Sequence, residues 1–274
     1  AYGASLAQNG VRISLHPAGH ILGSAQVRIE RGGEVWVVSG DYKLAPDVTC
    51  TAFEPVRCHT FVTESTFGLP IFRWPEEAGI LAAIRSWWRA NQEAGKASVL
   101  FAYAPGKAQR VLAGLAAAGP LPGPIYMHGA VESVNAIYRA AGVALAETSY
   151  AGALAGAEAK VSLILAPPSA TGSPWLRRFG EISTAFASGW MRIRGTRRRR
   201  SLDRGFVISD HADWPGLLAA IAATGAEQVW VTHGFRAPLV RWLEERGCSA
   251  TAVETQFEGD QDESGAEPAE EVQA

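Results

Sequence analysis

Residues 11–43 read VRISLHPAGHILGSAQVRIERGGEVWVVSGDYK. Val11–Leu15, Ala25–Glu30 and Glu34–Ser39 are β-rich runs of five or six residues, and Gly32-Gly33 between the last two is a hairpin signal. Phe61–Thr63 adds a short strand that runs into Glu64. The first, third and fourth of these runs lead into polar segments, AGHILGSA, SGDYK and ESTFG. A sheet of this kind places chemistry at its strand ends.

From Pro75 the periodicity changes. Ile80, Ala83, Ile84, Trp87 and Trp88 recur at helical spacing up to Ala94, with Pro75, Glu76 and Glu77 as start signals and Gly95 as a stop. Apolar stripes of this spacing face a core, so Trp87, Trp88 and Trp190 are expected to pack rather than to stack on bases. Ser98–Tyr103, Pro124–Met127 and Val161–Ala166 read as strands, with Gly106–Ala118 and Val131–Ala141 as helices. Phe206–Ser209 and Glu227–Thr232 are two more strands, followed by helices at Pro215–Thr224 and Pro238–Arg246. Strands alternating with helices predict an α/β chain with a parallel unit.

The chain has 274 residues, 47% of them hydrophobic and 19% charged, with formal net charge -2. This is globular composition, and no apolar run is long enough to span a bilayer. Cys50, Cys58 and Cys248 form no C-x-x-C pair. They predict neither a disulfide framework nor a zinc knuckle, and a cytoplasmic protein is the expectation. Charge is uneven along the chain. Residues 192–204, RIRGTRRRRSLDR, are basic and suit a phosphate backbone, whereas residues 258–274 are acidic and expected to be disordered.

Six histidines are present, and His20, His211 and His233 sit in short polar segments near strand ends. Asp41 and Glu64 share that setting. A lone histidine there is usually structural, as His16 is expected to be with Pro17 and Gly19 after it; five such groups suggest a convergent site. Neutral imidazoles with carboxylates suit zinc or manganese, and a carboxylate bridging two ions is a hydrolytic arrangement. No H-E-x-x-H, Walker or G-x-S-x-G signature competes. Ser65 and Thr66 are candidates to touch a scissile phosphate, and Lys43, Lys107, Gln109, Arg110 and Arg197, Arg198, Arg199 and Arg200 to hold flanking phosphates, with solvated surface as the alternative for each.

In this order and spacing, AGHILGSA, SGDYK, ESTFG, SDHAD and VTHG resemble the later motifs of metallo-β-lactamase-fold nucleases with a β-CASP insert. The longer strings HPAGHILGSAQVRIE, ESTFGLP, GKAQR and GWMR followed by SDHADW resemble the bacterial ligase-associated DNA exonucleases over nearly all of residues 1–257. The resemblance implies a metallo-β-lactamase αββα-type fold, incomplete at its N-terminus, over residues 1–75 and 205–257, interrupted by a β-CASP α/β insert at 76–204. It implies two divalent metals, zinc or alternatively manganese. His20 would lie on the first, His233 on the second, and Asp41 would bridge them. Glu64 would hold His211, which would protonate the leaving oxygen of a DNA phosphodiester.

The family's H-x-H-x-D-H motif would have to precede Ala1. The chain is therefore expected to be truncated and to bind metal weakly, while the parent protein is active. A DNA ligase and a helicase are the partners implied. An RNA-processing nuclease, a metal-free nucleic-acid-binding scaffold and a small-substrate metallo-hydrolase remain the alternatives. In the full-length protein, replacing Arg197–Arg200 with alanine should weaken DNA binding and flatten its salt dependence, each lost phosphate contact removing about 0.7–0.9 from the log–log slope. An unchanged slope would return these arginines to plain solvated surface.

Overall fold

A computed structural model describes residues 1–193, 195–196 and 201–254 of the chain. Five strands come first: β1 (Ser5–Gln8), β2 (Val11–Pro17), β3 (Ala25–Arg31), β4 (Glu34–Val38) and β5 (Thr60–Ser65). Helices and strands then alternate as α1 (Glu77–Glu93), β6 (Ala97–Phe101), α2 (Lys107–Ala117), β7 (Ile125–Met127), α3 (Gly129–Ala140), β8 (Ser149–Tyr150), α4 (Gly156–Val161) and β9 (Leu163–Ala166). Strands β10 (Ile182–Ala187) and β11 (Arg204–Phe206) follow, and then α5 (Trp214–Thr224), β12 (Gln228–Gly234), α6 (Arg236–Glu244) and β13 (Ser249–Ala252). Among the described residues no helix is long and apolar enough to cross a membrane.

The strands form two sheets. One has the order β1-β2-β3-β4-β5-β12-β13, the other β11-β10-β6-β9-β7-β8. In the first, β1 to β4 form an antiparallel meander, with Gly32 and Gly33 both at positive φ in the β3–β4 turn. Its pairs β4–β5, β5–β12 and β12–β13 are parallel. Every pair in the second sheet is parallel, as helices between successive strands require. The chain is thus mixed α/β, with the second sheet drawn from residues 97–206 and the first from the segments on either side. Strand β11 carries the second sheet past the boundary expected at Arg204.

Helix α1 buries Leu81, Ile84, Trp87, Trp88 and Asn91 against the second sheet, and the indoles of Trp87 and Trp88 donate to Ser183 Oγ and to the Val161 carbonyl. Trp190 is likewise core, within the aromatic group of Phe67, Phe72 and Trp74. Expectation and structure part at Val161, which ends α4 rather than starting a strand, and at 207–209, which form a loop beyond β11. Strand β10, ISTAFA, lies between β6 and β11. Its serine, threonine and alanines carry little apolar periodicity, so only its neighbours identify it as a strand.

One face of the first sheet packs Val35, Val37, Phe61, Val229 and Val231 against α5 and α6. Among the described residues the other face stays open. Leu6, Ile13, Leu15 and Val38 are exposed there, beside the half-buried Ile29, Trp36 and Trp230. The α5 end of the covered layer is well terminated: Asp213 accepts the Gly216 N–H at the N-cap, and Gly225 closes the helix at positive φ.

A buried ionic seam joins the sheets. The Arg110 guanidinium of α2 reaches Asp47 at 2.9 Å and Glu77 at 3.3 Å, and donates to the Ser209 carbonyl at 2.6 Å. Lys43 donates to the same carbonyl, also at 2.6 Å. Burial and the nearby Arg110 pull the Lys43 ammonium down to about 8, against the raising influence of Glu77, Asp210 and Asp47. Removing one member of such a buried set strands the other charge. Arg110→Ala should therefore lower stability by about 3–5 kcal/mol in denaturant unfolding followed by tryptophan fluorescence. A loss under about 1 kcal/mol would mean that Asp47 finds water or another partner, and that the seam does not hold the sheets together.

Candidate metal centre

Strands β4, β5 and β12 are parallel neighbours, so their C-terminal ends open on one edge. Asp41 follows β4, Glu64 lies at the end of β5, and His233 at the end of β12. The β2–β3 connection, which carries His20, reaches the same edge because β2 runs parallel in direction to β4. His211 arrives from the other sheet, on the loop after β11. The edge can be this crowded because of glycine. A Cβ on Gly234, at φ 86°, would lie 2.2 Å from the Ser65 carbonyl oxygen, and one on Gly19, at φ 71°, would lie 2.3 Å from that of Lys43.

Hydrogen bonds set the direction of each imidazole. His20 donates from Nδ1 to the Asp210 carbonyl at 3.0 Å, which turns its Nε2 lone pair toward Asp41 Oδ2, 4.0 Å away. Thr232 donates its hydroxyl to the Thr63 carbonyl and so accepts Nδ1–H of His233 at 2.9 Å. His233 Nε2 then faces Asp41 Oδ1 at 2.9 Å. The two oxygens of one carboxylate thus each face a different imidazole. Burial works to raise the Asp41 carboxyl, but the hydrogen bond from His233 and the charges of His211, His20 and His233 outweigh it and bring it to about 2. Burial opposes protonation of His233, yet the bond and charge of Asp41 raise it above the ordinary histidine value.

His211 and Glu64 form a second, deeper unit, 2% and 1% exposed. Nδ1 of His211 donates to Glu64 Oε2 at 3.0 Å, and Glu64 Oε1 also accepts the Tyr42 N–H at 2.9 Å. The His211 ring lies 4.7 Å from that of His20, centroid to centroid, with Phe67 on another side. The Trp74 indole donates to the His211 carbonyl at 2.9 Å, and the Trp74 N–H donates to Asp213.

Two clusters bring three ligand atoms within 4.8 Å of one another: Asp41 with Glu64 and His233, and His20 with Asp210 and His211. The second cluster already holds a cation, because Lys107 Nζ lies 3.2 Å from Asp210 Oδ1. Burial would raise the Asp210 carboxyl, but Lys107, His20, His211 and Arg110 hold it far below the carboxylate range. The space that suits divalent ions is the one around Asp41, with an Nε2 on either side. His20, Asp41 and His233 are fewer donors than two ions of about four ligands each require. The donor chemistry fits a bridged pair, and the donor count does not complete it.

The residues expected to contact phosphate in the described part of the chain lie inside the fold. Lys43, Lys107, Gln109 and Arg110 are all buried against protein groups rather than exposed on a loop or helix face. Gln109 accepts the Gly106 N–H and donates to Asn135 Oδ1 at 2.7 Å. Desolvated cations inside this fold meet carboxylates and carbonyls. Ser65 and Thr66 are buried as well. The Ser65 hydroxyl donates to the His233 carbonyl, whereas Thr66 Oγ1 has no hydrogen-bond partner among the described residues. Arg197–Arg200 and the acidic segment 258–274 lie outside the described residues. His16 bridges Ser14 and Glu54, as a structural histidine does. Asp210, Tyr42 and Trp74 escaped the sequence reading. Of these only Asp210, an acid beside a site histidine, carried a visible signal.

No protein-family model matches the chain. It is 30% identical over 242 residues to a probable DNA ligase of Opitutus terrae, covering 88% of this chain and 23% of that protein. It is 33% identical over 141 residues to the transcription termination factor FttA of Thermococcus kodakarensis, covering 47% and 21% respectively. It is 32% identical over 117 residues to the endoribonuclease YSH1 of Yarrowia lipolytica, covering 40% and 13%. The chain thus spans under a quarter of the length of these curated relatives. A crystal structure of a protein of unknown function from Enterococcus faecalis shares the fold, with TM-score 0.55, 10% identity, and 92% of this chain and 64% of that one covered.

Metal must displace the proton that joins His233 to Asp41. Because that proton is held more tightly than on a free histidine, zinc affinity should rise with pH through and above about 6.5, the ordinary histidine value. By titration calorimetry the chain should take up well under two zinc ions, and His233→Ala should take up fewer still. Two tightly held ions, or an affinity independent of pH, would mean that the ligand set is different.

Proposed function

We propose that residues 1–274 are part of a metallo-β-lactamase-fold nuclease with a β-CASP insert, a metal-dependent hydrolase of DNA phosphodiester bonds that works from an end. The observation that carries this reading is Asp41, with one imidazole Nε2 facing each oxygen and the His211–Glu64 pair alongside. The relative that bears the name of a DNA ligase supports an association with DNA joining and a DNA ligase as partner. The endoribonuclease relative supports RNA as a second substrate reading, over a shorter match. Comparing DNA and RNA strands of one sequence separates the two.

In this reading further metal ligands come from outside these residues. The donor count around Asp41 supports this, as does the open apolar face of the first sheet, which is of the kind that another layer covers. Two zinc or manganese ions, when bound, would supply an activated water and neutralise charge developing on the phosphate. The protein's own groups do the rest. His20 and His233 present Nε2 because Asp210 and Thr232 hold their Nδ1 atoms. Glu64 fixes His211 with Nδ1 protonated and raises the basicity of Nε2, which then carries a proton to the departing oxygen.

In the full-length protein, His211→Ala should keep its metals and lose turnover by about 10²–10⁴. Glu64→Gln should behave alike, and His233→Ala should lose metal as well. On a nitrophenyl ester of a nucleotide, whose leaving group needs no proton, the His211→Ala defect should shrink while that of His233→Ala persists. Equal defects on both substrates together with metal loss in His211→Ala would make His211 a ligand and overturn these roles.

A further inference from the structure

The Ser209–His211 segment is held from the side of the second sheet. Gly106 and Lys107 begin α2, and the Lys107 ammonium, 1% exposed, reaches Asp210 Oδ1 at 3.2 Å. A Cβ on Gly106 would lie 2.9 Å from Asp210 Oδ2 and 2.4 Å from Ile21, so α2 can come this close only with glycine there. The ammonium approaches Asp210 Oδ1 off the hydrogen-bond direction, so the contact is a charge attraction that pulls the segment as a whole. Ser209 on one side accepts from Lys43 and Arg110, and its hydroxyl accepts the His211 N–H at 3.1 Å. From the same segment the Asp210 carbonyl accepts Nδ1–H of His20.

We propose that Asp210 is a positioning residue for both His20 and His211, with Lys107 as the anchor that lets helix α2 set the direction of the two imidazoles. The carboxylate touches no reacting atom. It is drawn to Lys107, which places the carbonyl that selects the tautomer of His20 and the turn from which His211 enters the site. The inference rests on the nuclease reading for its consequence in turnover. It does not rest on that reading for its consequence in the imidazoles, which is a property of the chain alone.

The test uses Asp210→Asn, Lys107→Met, the neutral double variant, and Lys107→Arg. In this chain, free of metal, imidazole ¹⁵N shifts should show His20 locked with Nδ1 protonated. The lock should relax to a mixture of tautomers in both single variants and return in Lys107→Arg. The double variant leaves no buried charge unpaired and is the one best able to fold, yet it too should show the relaxed pattern, because α2 then holds the segment only through Arg110 at the Ser209 carbonyl and no charge draws residue 210 itself. In the full-length zinc-loaded protein, Asp210→Asn should lower kcat about 10–100-fold while KM changes less than about twofold. Tautomers unchanged in the folded double variant would overturn the proposal, as would full turnover of Asp210→Asn. A wild-type protein without nuclease activity would overturn the functional reading and leave the ¹⁵N result standing.

Discussion

Lys43, Lys107 and Arg110 meet the Ser209–Asp210 segment in the seam between the two sheets, shielded from water. Desolvating three cations is costly, and they remain charged there only because carbonyls and the carboxylates of Asp47 and Asp210 face them. That arrangement has a geometric consequence. The loop carrying His211 leaves one sheet and is tied to helix α2 of that sheet and to Lys43 of the other at adjacent residues. Its position is therefore set by both layers at once, and the deepest histidine of the site sits where they agree.

The first sheet contributes a different constraint. Parallel pairing of β4, β5 and β12 aligns three C-terminal ends, and the residues just beyond them must share one small volume. Gly234 and Gly19 allow the backbones to approach within distances no side chain tolerates. His20 and His233 are oriented there by neutral partners, the Asp210 carbonyl and the Thr232 hydroxyl, and His211 by the Glu64 carboxylate. This leaves the charge of Asp41 facing inward to two nitrogens.

The same sheet presents opposite faces of different character. One is sealed by α5 and α6 through Trp214, Leu217, Leu239 and Leu243. The other shows two rows of aliphatic and aromatic side chains to solvent. Patterned sequence explains both, since a strand in a two-sided core is apolar on successive residues, as VWVV is at 35–38. Without a layer on it, such a face is an interaction surface or an aggregation hazard.

The sequence by itself determined the α/β class, the β3–β4 hairpin at Gly32-Gly33, the packing role of Trp87 and Trp88, and the histidines and acids that end up together. These follow from local periodicity, from turn chemistry and from motif order, all of which are written in neighbouring residues. Only the tertiary structure decided that Lys43, Lys107, Gln109 and Arg110 lie inside, that Asp210 anchors the histidine loop, and that ISTAFA is a central strand. A lysine two residues after Asp41 reads the same whether it meets solvent or the Ser209 carbonyl, and a strand of small residues has no pattern of its own. Those outcomes depend on which segments, distant in the chain, come to face one another in the folded protein.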